Sequence, residues 1–310
     1  MAEQKPFRFG VVGISARSRQ EWVAKARRAE ALGYSTFLVW DHLNDQLAPL
    51  VALLSAADAT TSLRIATSVL ANDYRHPVLL AKEAATLDLL SDGRLELGIG
   101  AGWNGDEYYQ AGIAFDEPLR RVQRLGESVQ IMKGLLTNTS LTFHGQFYNI
   151  MKLQGHPAPI QKPHPPIMIG GARRQMLQLA AREADIIGYA TKVFPDGTHD
   201  FTDSIGPAIT RKRAWIQAAA GERFTTLEFH IHIGGVIITP HREKKAAQLA
   251  ETVGLTPAQL LVCLQALIGT EDEIVDDLIQ RRAIYGISYI SVDDRFMDTL
   301  APIVARLAGK

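Results

Sequence analysis

An acid and an imidazole side by side are the first residues in this chain equipped to move a proton. The apolar run Phe37-Leu38-Val39-Trp40 ends directly in Asp41-His42, so both side chains leave the end of a strand together. Histidine gives and takes protons near neutral pH, and a neighbouring carboxylate can fix which ring nitrogen carries the proton. The plainer alternative is a loop cap at Asp41 beside a solvated His42. A second group suits an anion. Ile169-Gly170-Gly171-Ala172-Arg173-Arg174 leaves a strand and opens a helix through Leu177 and Ala180. Uncommitted amides, the positive helix end and two guanidinium groups therefore converge where a phosphate would sit. Two further stretches suit a flat ligand. Gly98-Ile99-Gly100-Ala101-Gly102-Trp103 joins three glycines, which let backbone approach closely, to an aromatic wall. Thr67-Ser68-Val69-Leu70-Ala71-Asn72-Asp73 offers small hydroxyl groups that serve either a planar ring or barrel packing. His230-Ile231-His232 puts two imidazoles on one strand face, a spacing that can share a metal ion and supports a rival reading as a metal-dependent hydrolase. No matching carboxylate cluster stands at the other strand ends, so no metal is expected.

These groups need a scaffold that brings several strand ends to one face. Eight short apolar runs alternate with amphipathic helical stretches: Arg8 to Val12, Thr36 to Trp40, Arg64 to Val69, Arg94 to Ile99, Pro166 to Ile169, Asp185 to Tyr189, Leu227 to Ile238 and Ile287 to Val292. The alternation predicts parallel βα units, and the continuous apolar character of several runs fits strands covered on both faces. Ser18 with Glu21 predicts a capping box for a helix whose apolar face is Trp22, Ala26, Ala29 and Leu32 and which Gly33 stops. A second helix is predicted from about Leu47 to Thr60, and a third from Pro77 to Asp92-Gly93 with Arg75 in a structural ion pair before it. Eight units without a GxGxxG turn in Arg8 to Ala16 (RFGVVGISA) favour a closed (β/α)8 TIM barrel over an open doubly wound sheet. Barrel sites are built where strands end. The long connections Phe115 to His164 and Thr191 to Gly206 then stand as walls or lids on that face, and the prolines of His156 to Pro166 predict an extended lead-in to the fifth strand.

A chain of 310 residues, 46% hydrophobic, fits one domain spanning 1–310. Lysine plus arginine and aspartate plus glutamate number 33 each, which leaves no net field to hold a nucleic acid. The single cysteine, Cys263, excludes an intrachain disulfide framework and fits a reducing cytoplasm. Met1 to Pro6 is short and polar, and no apolar stretch approaches the ~20 residues of a membrane helix, so a soluble cytoplasmic protein is expected.

In order along the chain, Ala29-Glu30-Ala31-Leu32-Gly33-Tyr34, Trp40-Asp41-His42, Arg75-His76-Pro77, Leu87 to Arg94, Leu97 to Trp103, Glu107-Tyr108, Gly170-Gly171 and Ala184-Asp185-Ile186-Ile187 resemble the luciferase-like monooxygenase superfamily of flavin and deazaflavin enzymes. Within it the chain looks most like the group dependent on coenzyme F-420. The resemblance implies a bacterial-luciferase-like barrel, with the cofactor ring backed by a bulge after the third strand and a cis peptide between Ser68 and Val69. It implies cofactor contacts at Ser68, Val69 and Asn72, at Gly100, Ala101 and Gly102, at Gly170, Gly171, Ala172 and Arg173, and at Ala190 and Thr191. Substrate would meet Gly13, Ile14, Trp103, Tyr108 and the Phe115 to Phe147 insertion. His42 would exchange the proton, oriented by Asp41, while a hydride passes between deazaflavin and a small organic molecule. A flavin mononucleotide (FMN) monooxygenase, fed reduced flavin by a separate reductase and using oxygen, is the nearest alternative, and a homodimer is implied in either case. Some deazaflavin dehydrogenases carry a carboxylate just after the fourth-strand glycines. Here Trp103-Asn104 follow Gly102, which argues against a sugar-phosphate substrate and leaves the second acid–base group unassigned.

Overall fold

The computed structural model describes residues 4–137, 140–194 and 197–310. Met1 to Glu3 of the polar lead-in, Asn138 and Thr139 of the first long connection, and Pro195 and Asp196 of the second lie outside the described residues. The eight predicted runs all become strands of one closed parallel barrel: β1 (Arg8–Val12), β2 (Thr36–Val39), β3 (Arg64–Thr67), β4 (Leu95–Gly100), β5 (Ile167–Gly171), β6 (Ile186–Tyr189), β7 (Glu228–Ile233) and β8 (Ile287–Asp293). Each pairs with its sequence neighbour, and β8 pairs with β1 through Arg8↔Tyr289 to Val12↔Asp293, which closes the ring. Sequential pairing of this kind needs a helix between strands, and the predicted helices form at Arg19–Ala31, Pro49–Asp58 and Pro77–Leu90. Ser18 caps the first by accepting from the Glu21 amide, and Gly33, at φ 82°, takes the left-handed turn that stops it. The capping box is half made, because the Glu21 carboxylate takes the Arg17 amide instead of returning to Ser18.

Two connections differ from expectation. Most of Phe115 to His164 is barrel wall, a helix at Pro118–Thr137, followed by an antiparallel hairpin of Ser140–His144 with Asn149–Gln154. The run Leu227 to Ile238 is two strands and not one: β7 ends at Ile233, and Gly235–Ile238 leaves the barrel to pair in parallel with Ala266–Gly269. Between those short strands lie helices Arg242–Leu249 and Pro257–Leu261, whose Ala246 and Leu260, with Leu255 of the link between them, share a small core with Cys263 and Ile268, against which Phe201 and Ile205 of the β6 exit also pack. Hydrophobic continuity hid this break, since both halves are apolar.

The interior of the barrel is more polar than its continuous apolar runs suggested. At the amino-terminal floor Arg8 binds Glu96 and, at 2.7 Å, Glu228, while Arg64 binds Glu96 at 2.6 Å. Burial alone would raise the Glu96 carboxyl, but the two guanidinium groups hold it below its ordinary value. Beside this cluster lies a cavity of about 350 Å³ lined by Lys5, Arg8, Arg64, Glu96, Asp185 and Glu228. Its charges neutralise one another at the end of the barrel that serves stability.

One seam fixes the rim geometry. Ala66 pairs with Glu96 and Leu70 with Ile99, so one strand advances four residues while the other advances three. The surplus is a bulge at Ser68–Val69, whose peptide bond is cis as the resemblance implied. The Thr67 hydroxyl bridges the interrupted ladder, donating to the Gly98 carbonyl at 2.7 Å and accepting from the Gly98 amide at 2.8 Å. Thr67 is thereby committed to packing, the second of the two roles its type allowed. A Cβ on Gly98 would run into the Thr67 carbonyl, a backbone atom that cannot swing aside. Gly98→Ala is expected to lower stability by about 2–3 kcal/mol in urea unfolding, the usual cost of overpacking; an unchanged midpoint would show the seam to be slack.

Candidate functional site

Asp41, at the β2 exit, is buried and accepts both terminal nitrogens of Arg75, at 2.6 and 3.0 Å, together with the Ala71 amide at 2.9 Å. Arg75 is thus in the structural ion pair foreseen for it. Asp41 does not orient His42: its lone pairs are spent tying the β2 exit to the chain just beyond the bulge. The orienting carboxylate is Glu107, from the short helix Gly105–Gln110, whose Oε1 lies 2.8 Å from His42 Nδ1. Its other oxygen accepts from Tyr74 Oη at 3.2 Å, and burial, then Glu107 itself, raises the Tyr74 phenol well above its ordinary value. An Nδ1–H donating to Glu107 makes Nε2 the other protonation site of the ring. Glu107 is therefore the carboxylate that faces His42, the place the sequence left unassigned. Its signal in the sequence was an acid in the first turn after Gly102, with nothing local to aim it at His42.

The glycine-rich β4 exit is held open by packing beneath it. Gly102, at φ 74°, stands where a Cβ would strike the Tyr108 hydroxyl. Tyr108 itself is fully buried among Tyr74 and Phe115 and reaches Asp73 at 3.4 Å. The expectation that Tyr108 lines the substrate pocket is corrected accordingly: it supports the rim from below. Gly13 is corrected too, since a Cβ there would meet Phe37 and Trp22 and the residue packs against α-helical wall; Ile14 beside it is half-buried. Arg121 braces the exit by donating to the carbonyls of Ala101, at 3.1 Å, and Gly102, and Arg124 binds Asp73 at 2.8 Å. Asn72 is buried and donates to Asp73 at 3.3 Å. The Val69 side chain fills the space a Cβ on Gly100 would need, as Tyr108 does at Gly102, so these two glycines let the bulge and the Tyr108 ring pack closely against the β4 exit.

Trp103, 45% exposed, is the aromatic wall. Its ring meets His42 edge-on at 5.6 Å and His199 at 5.7 Å, while Trp40 meets His232 at 5.5 Å. His199 was not singled out in the sequence; it lies in the Thr191 to Gly206 connection, and Thr191 Oγ1 holds its Nδ1 at 2.7 Å. Burial lowers the His199 imidazole below its ordinary value. Its loop is anchored by Lys212, whose buried ammonium contacts Asp203 Oδ2 at 2.6 Å and the carbonyls of Ala190 and Asp203 at 2.7 and 2.8 Å. Ala190 has both main-chain groups engaged, its amide donating to the Gly171 carbonyl at 3.1 Å.

At the β5 exit, Gly170 faces open space where a Cβ would stand, and helix Arg174–Glu183 begins without a side-chain cap. Arg173 and Arg174 are exposed with no ion-pair partner among the described residues. His230 and His232 face the same way, as foreseen, but both turn to Ser291 Oγ, at 2.9 and 3.1 Å, and His232 Nε2 lies 3.2 Å from Asp293. Among the described residues no three metal-ligating side chains converge. Burial, chiefly, lowers the His230 imidazole to about 3.

A family profile for luciferase-like monooxygenases matches residues 6–214. The chain is 31% identical over 172 residues to the FMNH2-dependent dimethylsulfone monooxygenase of Pseudomonas putida, covering 56% of this chain and 45% of that one. It is 30% identical over 210 residues to the F420-dependent glucose-6-phosphate dehydrogenase of Amycolatopsis mediterranei, covering 64% and 62%. The fold superposes on an F420-dependent secondary alcohol dehydrogenase with a TM-score of 0.76, 17% identity and coverage of 98% and 99%. No helix among the described residues is long and apolar enough to cross a membrane.

Two measurements check the buried polar groups. Asp203→Asn leaves the Lys212 ammonium buried and unpaired, and thermal or urea unfolding should register a loss of about 3–5 kcal/mol. His230 is neutral when folded, whereas the unfolded imidazole takes up a proton below its ordinary 6.5. Its contribution is therefore complete above about pH 6.5 and declines as pH falls toward 3. His230→Phe should flatten the pH dependence of unfolding between about pH 6.5 and 4.5 by up to one proton; an unaltered slope would contradict the burial argument.

Proposed function

The chain belongs to the luciferase-like monooxygenase family of oxidoreductases, and on that premise we propose that it transfers a hydride between coenzyme F-420, a deazaflavin, and a small organic substrate. The observation that carries the proposal is His42, fixed through Nδ1 by Glu107 and set edge-on against the Trp103 ring at the strand exits. The residues fit the cofactor. The bulge at Ser68–Val69 beside the β4 exit suits the backing of a flat ring, and the uncapped helix start with Arg173 and Arg174 suits a phosphorylated tail. When bound, the deazaflavin supplies a hydride acceptor and donor that reacts poorly with oxygen.

The chain's own residues do the rest. Glu107 holds the His42 ring in one tautomer and stabilises the imidazolium when Nε2 takes a proton from a substrate hydroxyl; in the reverse direction Nε2 returns it to the carbonyl oxygen. Asp41 and Arg75 keep the histidine and the bulge in register. Trp103 shields one side of the proton path from water. Family relatives that use FMN and those that use F420 both stand near 30% identity, so the choice between them is made by experiment.

Titrating the purified protein with F-420 and with FMN, and following the distinct visible bands, should give tight binding of the deazaflavin. Retention of FMN with no affinity for F-420 would transfer the reading to the flavin monooxygenase alternative. Replacing Arg173 and Arg174 by alanine together should weaken F-420 binding about tenfold or more, the loss of charge-assisted hydrogen bonds to phosphate. His42→Ala should leave that binding intact and slow hydride transfer by ~10²–10⁴, as removal of a general acid–base group does.

A further inference from the structure

Two imidazoles meet the Trp103 ring, and their anchors differ in chemistry. His42 is backed through Nδ1 by the Glu107 carboxylate at 2.8 Å; His199 is backed through Nδ1 by the Thr191 hydroxyl at 2.7 Å. Both rings meet the indole edge-on, at 81° and 61°. A carboxylate behind an imidazole stabilises its protonated form, whereas a hydroxyl offers no such charge, and partial desolvation lowers the imidazole of His199, which is otherwise exposed. The loop is no loose flap, since the buried Lys212–Asp203 pair and the Lys192–Asp203 contact at 3.2 Å pin it below.

We propose that His199 is a second substrate-contacting residue, which holds the oxygen of a neutral alcohol or ketone against Trp103 while His42 exchanges the proton. This rests on the hydride-transfer reading above. In alcohol oxidation the substrate C–H bond breaks with its electron pair passing to the oxidised deazaflavin, the O–H proton passes to His42 Nε2, and the C–O bond becomes a carbonyl. His199 hydrogen-bonds that oxygen throughout and neither gains nor loses a proton, the part a neutral imidazole can play beside a polarised carbonyl. Neutrality of the substrate is inferred from the hydroxyl-backed His199 itself, which offers no cation to an anionic group. Asp203 is shared by the buried Lys212 and by Lys192 and Arg211, so the surplus positive charge stands on the last two, which reach the surface. The unpaired guanidinium groups, Arg173 and Arg174, stand at the separate β5 exit.

The test is carbethoxylation of histidines by diethyl pyrocarbonate, mapped by mass spectrometry on protein whose bound F-420 is first verified by absorbance. Saturating 2-propanol, cyclohexanol or benzyl alcohol should slow modification of His199 severalfold, and phenyl phosphate should not. Calorimetric titration with the best protector should show affinity about tenfold weaker in His199→Phe, the worth of one hydrogen bond, and nearly restored in His199→Gln, whose amide keeps a donor. A merely structural histidine would lose affinity equally in both variants, and that result overturns the proposal. So does a cofactor-loaded protein in which no neutral probe protects His199, or in which phenyl phosphate protects it best; these leave the hydride-transfer reading standing. Failure to bind F-420 brings down that reading, and this inference with it.

Discussion

The rim depends on where the Asp41 carboxylate is spent. By accepting Arg75 and the Ala71 amide together it clasps the end of β2 to the segment that follows the bulge after β3. One residue on, His42 meets Glu107, and Glu107 in turn meets Tyr74, the neighbour of Arg75. Two short segments, 41–42 and 71–75, are thus laced by two carboxylates, one tying backbone and cation, the other tying imidazole and phenol. A buried carboxylate requires such full partnering, and the requirement places the imidazole. Strand geometry alone would leave the His42 side chain free to rotate into solvent.

The barrel was legible because its determinants are local and repetitive. Each run from Arg8–Val12 to Ile287–Asp293 carries its own apolar character, and caps such as Ser18 and stops such as Gly33 mark the helices between them. The site was legible only in its glycines and in His42, which declare themselves by type and by position after a strand. Glu107, His199, Lys212 and Asp203 act across sequence gaps of 65, 8, 22 and 9 residues to partners that no spacing rule joins. Asp41 was misassigned for the same reason: adjacency to His42 in sequence suggested a pair, whereas its partner 34 residues away bears the opposite charge. The break at Gly234 escaped notice because leaving a barrel and continuing in it look alike in an apolar stretch.

The polar column inside the barrel has a single consistent direction. With His232 Nε2–H toward Asp293, its Nδ1 accepts from Ser291, whose oxygen accepts in turn from His230 Nε2–H. The two hydrogen bonds at Ser291 need no charge at His230, whose imidazole burial lowers to about 3. Two histidines that by spacing alone suggested a metal site are committed to this chain of hydrogen bonds.

The miniature core formed by Ala246, Leu255, Leu260, Cys263 and Ile268 also receives Phe201 and Ile205 from the loop that bears His199. Walls from two separate strand exits consequently share one footing. Variation in the segment inserted after β7, though distant in the chain, is transmitted to the far side of the ligand space, so the two loops must diversify as a matched pair when this scaffold acquires a different specificity.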